Sequence, residues 1–176
     1  MKHHSRAVLF LVAAAVLSAA PANAQPSVLK GELQKDWADL KETMMKIADK
    51  MSEDKFGYRS TPPQRNYGEQ ILHVATTNLA LLPAIGGQAK PPVINAKATS
   101  KAEILKALSD SFDYGTALLT EQTPETLLTA VNARFLGSST RARIIYFLIG
   151  HTWDIYGQMA VYLRLNGLVP PASERP

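Results

Sequence analysis

The chain has 176 residues, of which 46% are hydrophobic and 19% are charged. This length allows one domain with a sizeable core, and the composition excludes a disordered tail. The formal net charge is +4, and setting aside Lys2 and Arg6 of the N-terminal segment leaves 17 basic against 15 acidic residues, a net charge of +2. A basic excess this small does not favour a nucleic-acid partner.

The first 24 residues have the three zones of an export signal. Lys2 and Arg6 lie in a basic head, an apolar run follows from Ala7 to Ala20, and Ala22-Asn23-Ala24 is a small-x-small cleavage site. The run of about fourteen residues is shorter than the roughly 20 that span a bilayer. We expect cleavage after Ala24, a single domain over residues 25–176, and a periplasmic or secreted protein that is not held at the membrane after signal removal.

Several classes of site are excluded by the residues that the sequence lacks. The chain contains no Cys, which excludes thiolate nucleophiles and thiolate metal sites. It also lacks the GxSxG nucleophile turn and the glycine-rich phosphate loops. After the signal segment the only histidines are His73 and His151.

Apolar residues at helical spacing predict four helices and hence an all-α protein. In chain order the helices run from Ser27 to Met51, from an Asn66 cap to about Ile85, from a Ser100 cap to the break at Thr123-Pro124, and from Ser138 or Ser139 to Gly167. Four such helices bury their apolar faces most simply as a four-helix bundle. The connection over Gln88–Thr99 is long enough to cross the bundle, and the segment around Phe135-Leu136-Gly137 is expected to be a loose connection.

Polar side chains interrupt the apolar face of the fourth predicted helix and lie slightly offset from the apolar face of the second. They are Gln70, His73 and Thr77 on the second helix, and His151, Asp154 and Gln158 on the fourth. Because imidazole and carboxylate groups ligate zinc, nickel and iron, a site of His73, His151 and Asp154 is one interpretation. The other is that both histidines are ordinary buried or half-buried side chains and that Asp154 is a solvated charge.

Three segments resemble the DinB family in order and spacing. They are Met51-Ser-Glu-Asp-Lys-Phe-Gly-Tyr-Arg-Ser-Thr-Pro, Tyr67-Gly-Glu-Gln-Ile-Leu-His73-Val-Ala, and the stretch from His151-Thr-Trp-Asp-Ile-Tyr-Gly-Gln to Pro170-Pro171. The resemblance implies a four-helix bundle with up-down-down-up topology. The long connection between the second and third helices fits this topology.

The resemblance also implies a metal site with three histidines, one on the second helix and two on the fourth. His73 matches the first ligand and His151 the second, but the third position is Ile155. An apolar side chain cannot coordinate a metal, so the site is incomplete unless Asp154 substitutes. Relatives use the metal in thiol-dependent transfer and isomerisation or in hydrolysis.

Two functional interpretations follow. The first is a metal-dependent hydrolase or transferase with a divalent ion, zinc or nickel, on His73, His151 and Asp154, and with Tyr156 or Gln158 orienting a small-molecule substrate. The second is a non-catalytic module that binds a small ligand or a partner, in which the metal site has decayed at Ile155. The sequence leaves the substrate and the oligomeric state open, a homodimer included.

Overall fold

The computed structural model describes residues 24–133 and 136–174, with side chains from residue 28 onward. The predicted signal segment, apart from its last residue, lies outside the described residues. The helices are α1 (Ala24–Lys50), α2 (Tyr67–Leu81), α3 (Lys101–Glu121), the single turn α4 (Pro124–Leu127) and α5 (Arg141–Leu165), and the strands are β1 (Ala130–Ala133) and β2 (Gly137–Thr140). Within these residues no helix is both long enough and apolar enough to cross a membrane.

On α1, a stripe of apolar residues at the helical spacing that predicts this helix forms one wall of the core. All six of its members are buried, namely Leu33, Trp37, Leu40, Met44, Ile47 and Met51. The indole of Trp37 donates a hydrogen bond to the carbonyl oxygen of Phe112 on α3 over 3.0 Å, and the two rings lie 4.8 Å apart. These contacts fix α1 against the middle of α3.

The predicted cap of the second helix is confirmed. The side chain of Asn66 accepts from the backbone N–H of Glu69 over 2.8 Å, and the Glu69 carboxylate accepts from the backbone N–H of Asn66 over 2.7 Å. This reciprocal pair satisfies two N–H groups that α2 would otherwise leave free. The regular helix ends at Leu81 and continues as a 3₁₀ turn over Leu82–Ile85, which Gly86 closes at a φ of 69°.

The four long helices form a ring in which α1 neighbours α3 and α5, and α2 neighbours the same two. Lys101, the first residue of α3, donates to the carbonyl oxygen of Met51, which directly follows α1, over 2.9 Å. The end of α1 therefore lies beside the start of α3, so these helices are antiparallel. Helices α2 and α3 run in parallel, because Gly68 lies beside Ile104 at their N-terminal ends.

Helices α2 and α5 are antiparallel. The hydroxyl of Tyr162, near the C-terminal end of α5, donates to the carbonyl oxygen of Arg65, just before α2 begins, over 2.7 Å. Together with the other pairs, this gives the predicted up-down-down-up bundle. Since α2 and α3 point the same way, residues 86–100 return along the outside of the bundle.

The connection before the last long helix is more ordered than the sequence predicts. Strand β1 pairs antiparallel with β2, with Ala130 opposite Thr140 and Ala133 opposite Gly137. As a result α5 begins at Arg141 with Thr140 as its cap, not at Ser138 or Ser139. The short strands lack an alternating apolar pattern, which is why sequence periodicity does not reveal them.

Candidate functional site

Two imidazole rings meet at the interface between α2 and α5. His73 comes from the middle of α2 and His151 from the middle of α5, and both side chains are half-buried. Their ring centroids lie 4.9 Å apart, with the ring planes at 87°. The two histidines that the sequence singles out are therefore direct neighbours.

The surroundings keep His73 neutral. Burial is the largest cause that lowers the pKa of His73, to about 4, with further contributions from the Arg65 guanidinium and from His151. Its ring nitrogens therefore carry a single proton at neutral pH. A neutral imidazole is the form that binds a metal ion.

His151 has one ring nitrogen without a partner. Its Nε2 atom is buried, and no described residue forms a hydrogen bond with it. Burial lowers the pKa of His151, the nearby Asp154 carboxylate raises it, and Arg65 lowers it. The ring of Phe147 lies parallel to the imidazole at 6.2 Å and forms one side of its environment.

Asp154, the third predicted ligand, lies on the exposed side of α5. Its Oδ2 atom accepts a hydrogen bond from Nε2 of Gln158 over 3.0 Å. Among the described residues, no three His, Asp or Glu side chains form a group that could hold a metal ion. The structure thus brings His73 and His151 together, while the three-ligand site with Asp154 stays a prediction.

A buried amide extends the hydrogen bond between Asp154 and Gln158 across the interface between α2 and α5. Nε2 of Gln70 on α2 donates to Oε1 of Gln158 over 2.7 Å. Gln70 is fully buried, and no described residue donates to its Oε1 atom. The sequence places Gln70 on the same face as His73 but gives no signal for its unpartnered oxygen.

A surface cavity of about 240 Å³ opens beside His73. Its lining residues are Arg65, Glu69, Leu72, His73, Thr76 and Ala96. Glu69 is paired with Arg59 at 3.6 Å, whereas Arg65 forms no ion pair with any described residue. Sequence reasoning missed Arg65, because it lies in an irregular connection and belongs to no motif.

A larger cavity, of about 430 Å³, adjoins the first one. The two share Glu69, Leu72 and Ala96, so they form one groove along the N-terminal part of α2. The wall of the larger cavity also includes the apolar side chains of Phe56 and Ile104. A small molecule in this groove would have apolar surface at one end and His73 at the other.

The sequence profile of the DinB superfamily matches residues 33–159, a span that includes both histidines. This chain belongs to the DinB superfamily. Two solved DinB-like proteins have the same fold. One, from Bacillus cereus ATCC 10987, is 22% identical, with a TM-score of 0.70 over 80% of this chain and 95% of that one. The other, from Bacillus subtilis, is 15% identical, with a TM-score of 0.63 over 82% of this chain and 99% of that one. A search of curated proteins found no match.

This DinB chain departs from the expected ligand pattern at Ile155. The side chain lies in the bundle core and is only 2% exposed. It follows His151 by one helical turn, so a histidine there would lie on the same face of α5. The isoleucine contributes packing where a third imidazole is expected.

Tyr156, which the sequence predicts as a residue that orients substrate, has other surroundings. The hydroxyl of Tyr156 accepts from the backbone N–H of Ala172 over 3.3 Å, and Tyr156 does not line the cavity beside His73. Trp153 is 47% exposed and contacts Tyr156 with ring centroids 5.4 Å apart. Gln158, in contrast, is part of the polar contact between α2 and α5.

Proposed function

We propose that this DinB-superfamily protein binds a divalent transition metal through His73 and His151 and uses the ion in hydrolysis or group transfer on a small molecule. The separation of the two rings supports this assignment. Two imidazoles on one tetrahedral ion, with metal–nitrogen bonds near 2.0 to 2.1 Å, have ring centroids about 5 Å apart. The observed centroid separation is 4.9 Å.

The observation that carries the proposal is the buried Nε2 atom of His151, which has no described partner. A buried polar atom without a hydrogen bond is costly, and a bound ion offsets that cost. Burial also keeps His73 neutral at physiological pH, with a pKa of about 4. Neither imidazole has to lose a stabilising proton before it binds a metal.

The nitrogen donors favour zinc or nickel among the available divalent ions. A bound ion of this kind supplies a Lewis acid that acidifies a water or thiol at an open coordination position. The cavity of about 240 Å³ beside His73 has room for a small substrate. Arg65, which has no ion-pair partner among the described residues, provides positive charge at the same cavity.

A second candidate function is a non-catalytic module that binds a small ligand or a partner. The buried Ile155 favours it, because this residue removes the third imidazole of the expected metal site. In this case the groove beside α2 binds the ligand, and His73 and His151 form only a polar contact in the bundle. The two functions differ in whether the histidines determine metal affinity.

Export is also part of the proposal. The basic head, the short apolar run and the Ala22-Asn23-Ala24 site support a periplasmic or secreted protein that begins at Gln25. Mass spectrometry of protein from a secreting host should show a chain that starts at Gln25. Recovery of the chain with residues 1–24 in the membrane fraction would contradict export.

The metal proposal is tested by calorimetric titration of Zn²⁺ into chelator-treated protein, together with His73→Ala and His151→Ala variants. We expect one equivalent to bind to the wild type, with at least a tenfold loss of affinity in each variant. Thr77→Val is a matched control, since Thr77 lies one turn beyond His73 on α2. Equal affinity in all four proteins would reject the two-histidine site and favour the binding module.

A further inference from the structure

Three polar side chains form a hydrogen-bonded chain from the surface to the interior of the α2–α5 interface. Nε2 of Gln158 donates to Oδ2 of Asp154 over 3.0 Å, and Nε2 of Gln70 donates to Oε1 of Gln158 over 2.7 Å. Asp154 is exposed, Gln158 is half-buried and Gln70 is fully buried. The chain therefore connects a surface carboxylate to a buried amide.

The charge of Asp154 sets the direction of both amides. An ionised carboxylate can only accept hydrogen bonds, so Gln158 must present its NH₂ group to Asp154. The amide oxygen of Gln158 then points towards Gln70, which must in turn present its own NH₂ group. Oε1 of Gln70 is a buried acceptor that no described residue uses.

This free oxygen belongs to a residue that is close to His73 in the sequence of α2. Gln70 precedes His73 by three residues, a spacing that places both side chains on one helix face. Gln70 Oε1 and His151 Nε2 are both buried side-chain atoms for which no described residue provides a partner. One ion held between α2 and α5 would satisfy both atoms, since a buried polar atom without a partner is costly.

We propose that Oε1 of Gln70 is the third protein ligand of the ion held by His73 and His151, with Asp154 acting through Gln158 as a positioning residue. The inference rests on the proposed metal function and deepens it. It assigns to an amide oxygen on α2 the role that Ile155 cannot fulfil on α5. The resulting set of two nitrogens and one neutral oxygen holds a divalent ion more weakly than three imidazoles would.

The first test uses Gln70→Leu, which keeps the side-chain size and removes the amide. If Gln70 ligates, its removal should weaken Zn²⁺ binding at least tenfold in calorimetric titrations. The metal-free variant should unfold at a similar temperature to the metal-free wild type, because it loses the hydrogen bond to the half-buried Gln158 but also removes a buried oxygen that has no partner. A residue with only a structural role would not produce this combination of results.

The second test separates positioning from general packing. Asp154 is exposed, so Asp154→Ala should leave the fold intact while it releases Gln158 and Gln70 from their fixed orientation. We expect a loss of Zn²⁺ affinity of about tenfold, as is typical for partners of metal ligands. In a Gln70→Leu background the same substitution should have no further effect, since there is no ligand left to position.

The outcomes distinguish the inference from the function on which it rests. If Gln70→Leu binds Zn²⁺ like the wild type while His73→Ala does not bind, the Gln70 assignment is wrong and the two-histidine site stands. If the Asp154→Ala effect persists in full in the Gln70→Leu background, the positioning role is wrong. If the wild type itself fails to bind Zn²⁺, both the inference and the metal function are rejected.

Discussion

Trp37 of α1 lies so close to Gly115 of α3 that a Cβ atom at position 115 would fall 2.3 Å from Cζ2 of the indole. No side chain can occupy that space without moving Trp37, which is 1% exposed. The contact holds α1 and α3 at a short separation. The hydrogen bond from the Trp37 indole to Phe112 depends on this short separation. Gly115 thus helps to set the geometry of the bundle that contains the histidine pair.

The substitution Gly115→Ala should lower the free energy of unfolding by about 1 to 3 kcal/mol, because overpacking outweighs the gain in helix propensity. Urea unfolding followed by circular dichroism measures the change. Gly31→Ala is the control, since Gly31 lies in α1 and a Cβ atom there would meet nothing within 4 Å. That variant should be more stable by about 0.5 to 1 kcal/mol. Equal or greater stability of Gly115→Ala would contradict the packing argument.

The sequence predicts the bundle because periodicity reports which face of a helix is buried. The stripe from Leu33 to Met51 and the Asn66 cap of α2 are both confirmed. The strand pair around β1 and β2 is not predictable in this way, since four-residue strands have too few positions to show a period. Ser100 caps α3 as predicted, with its side chain accepting from the backbone N–H of Glu103, whose carboxylate accepts from the Ser100 hydroxyl over 2.8 Å.

The candidate site is predictable only in part. The spacing places His73 and His151 on facing helices, and their proximity follows once the up-down-down-up order is known. The contact between Gln70 and Gln158 joins residues 88 positions apart, so no local pattern reveals it. The orientation of an amide depends on its hydrogen-bond partners and is absent from the sequence.

Acid should destabilise the protein over a pH range that the pKa of His73 determines. Its pKa is lowered from 6.5 to about 4 in the folded state, so between these values the unfolded chain binds more protons. The contribution of His73 to the free energy of unfolding is fully present above pH 6.5 and is lost as the pH falls through about 4. For a half-buried group we expect a loss of about 1 to 3 kcal/mol.

Chelator-treated protein is unfolded with urea at several pH values in this range, alongside a His73→Gln variant. Glutamine keeps a polar side chain at the position and does not titrate. The stability of the variant should therefore depend less steeply on pH than that of the wild type. Parallel pH profiles for the two proteins would show that His73 is not the group responsible.

Removal of the Arg65 charge should raise the pKa of both histidines. Arg65 lowers the pKa of His73 and that of His151, so Arg65→Ala removes one cause in each case. The pKa of His73 should then lie above 4 but below 6.5, since burial remains the larger cause. Imidazole proton shifts in an NMR titration measure both values. Arg59→Ala, which removes a cation paired with Glu69, should leave them unchanged.

Restoring an imidazole at the third position should strengthen metal binding. Ile155→His places histidines at i and i+4 on α5, opposite His73, and completes a three-nitrogen site for zinc or nickel. We expect at least tenfold tighter binding than in the wild type, measured above about pH 6.5 so that protons do not compete.

The same variant should be less stable without metal by about 1 to 3 kcal/mol, because a polar ring replaces a buried isoleucine. Added metal should restore the lost stability. Ile155→Ala serves as the control, since it opens the core without adding a ligand and should gain nothing from metal relative to the wild type. Unchanged Zn²⁺ affinity of Ile155→His would show that position 155 does not face the site.

The most direct measurement of the two-histidine site is an anomalous difference map from crystals of the wild-type protein soaked in Zn²⁺. We predict one strong peak at the α2–α5 interface, within about 2.0 to 2.3 Å of a ring nitrogen of both His73 and His151. The amide oxygen of Gln70 should be the third protein atom within bonding distance of the peak. A peak bound by only one of the two histidines, or no peak between α2 and α5, would contradict the shared metal site.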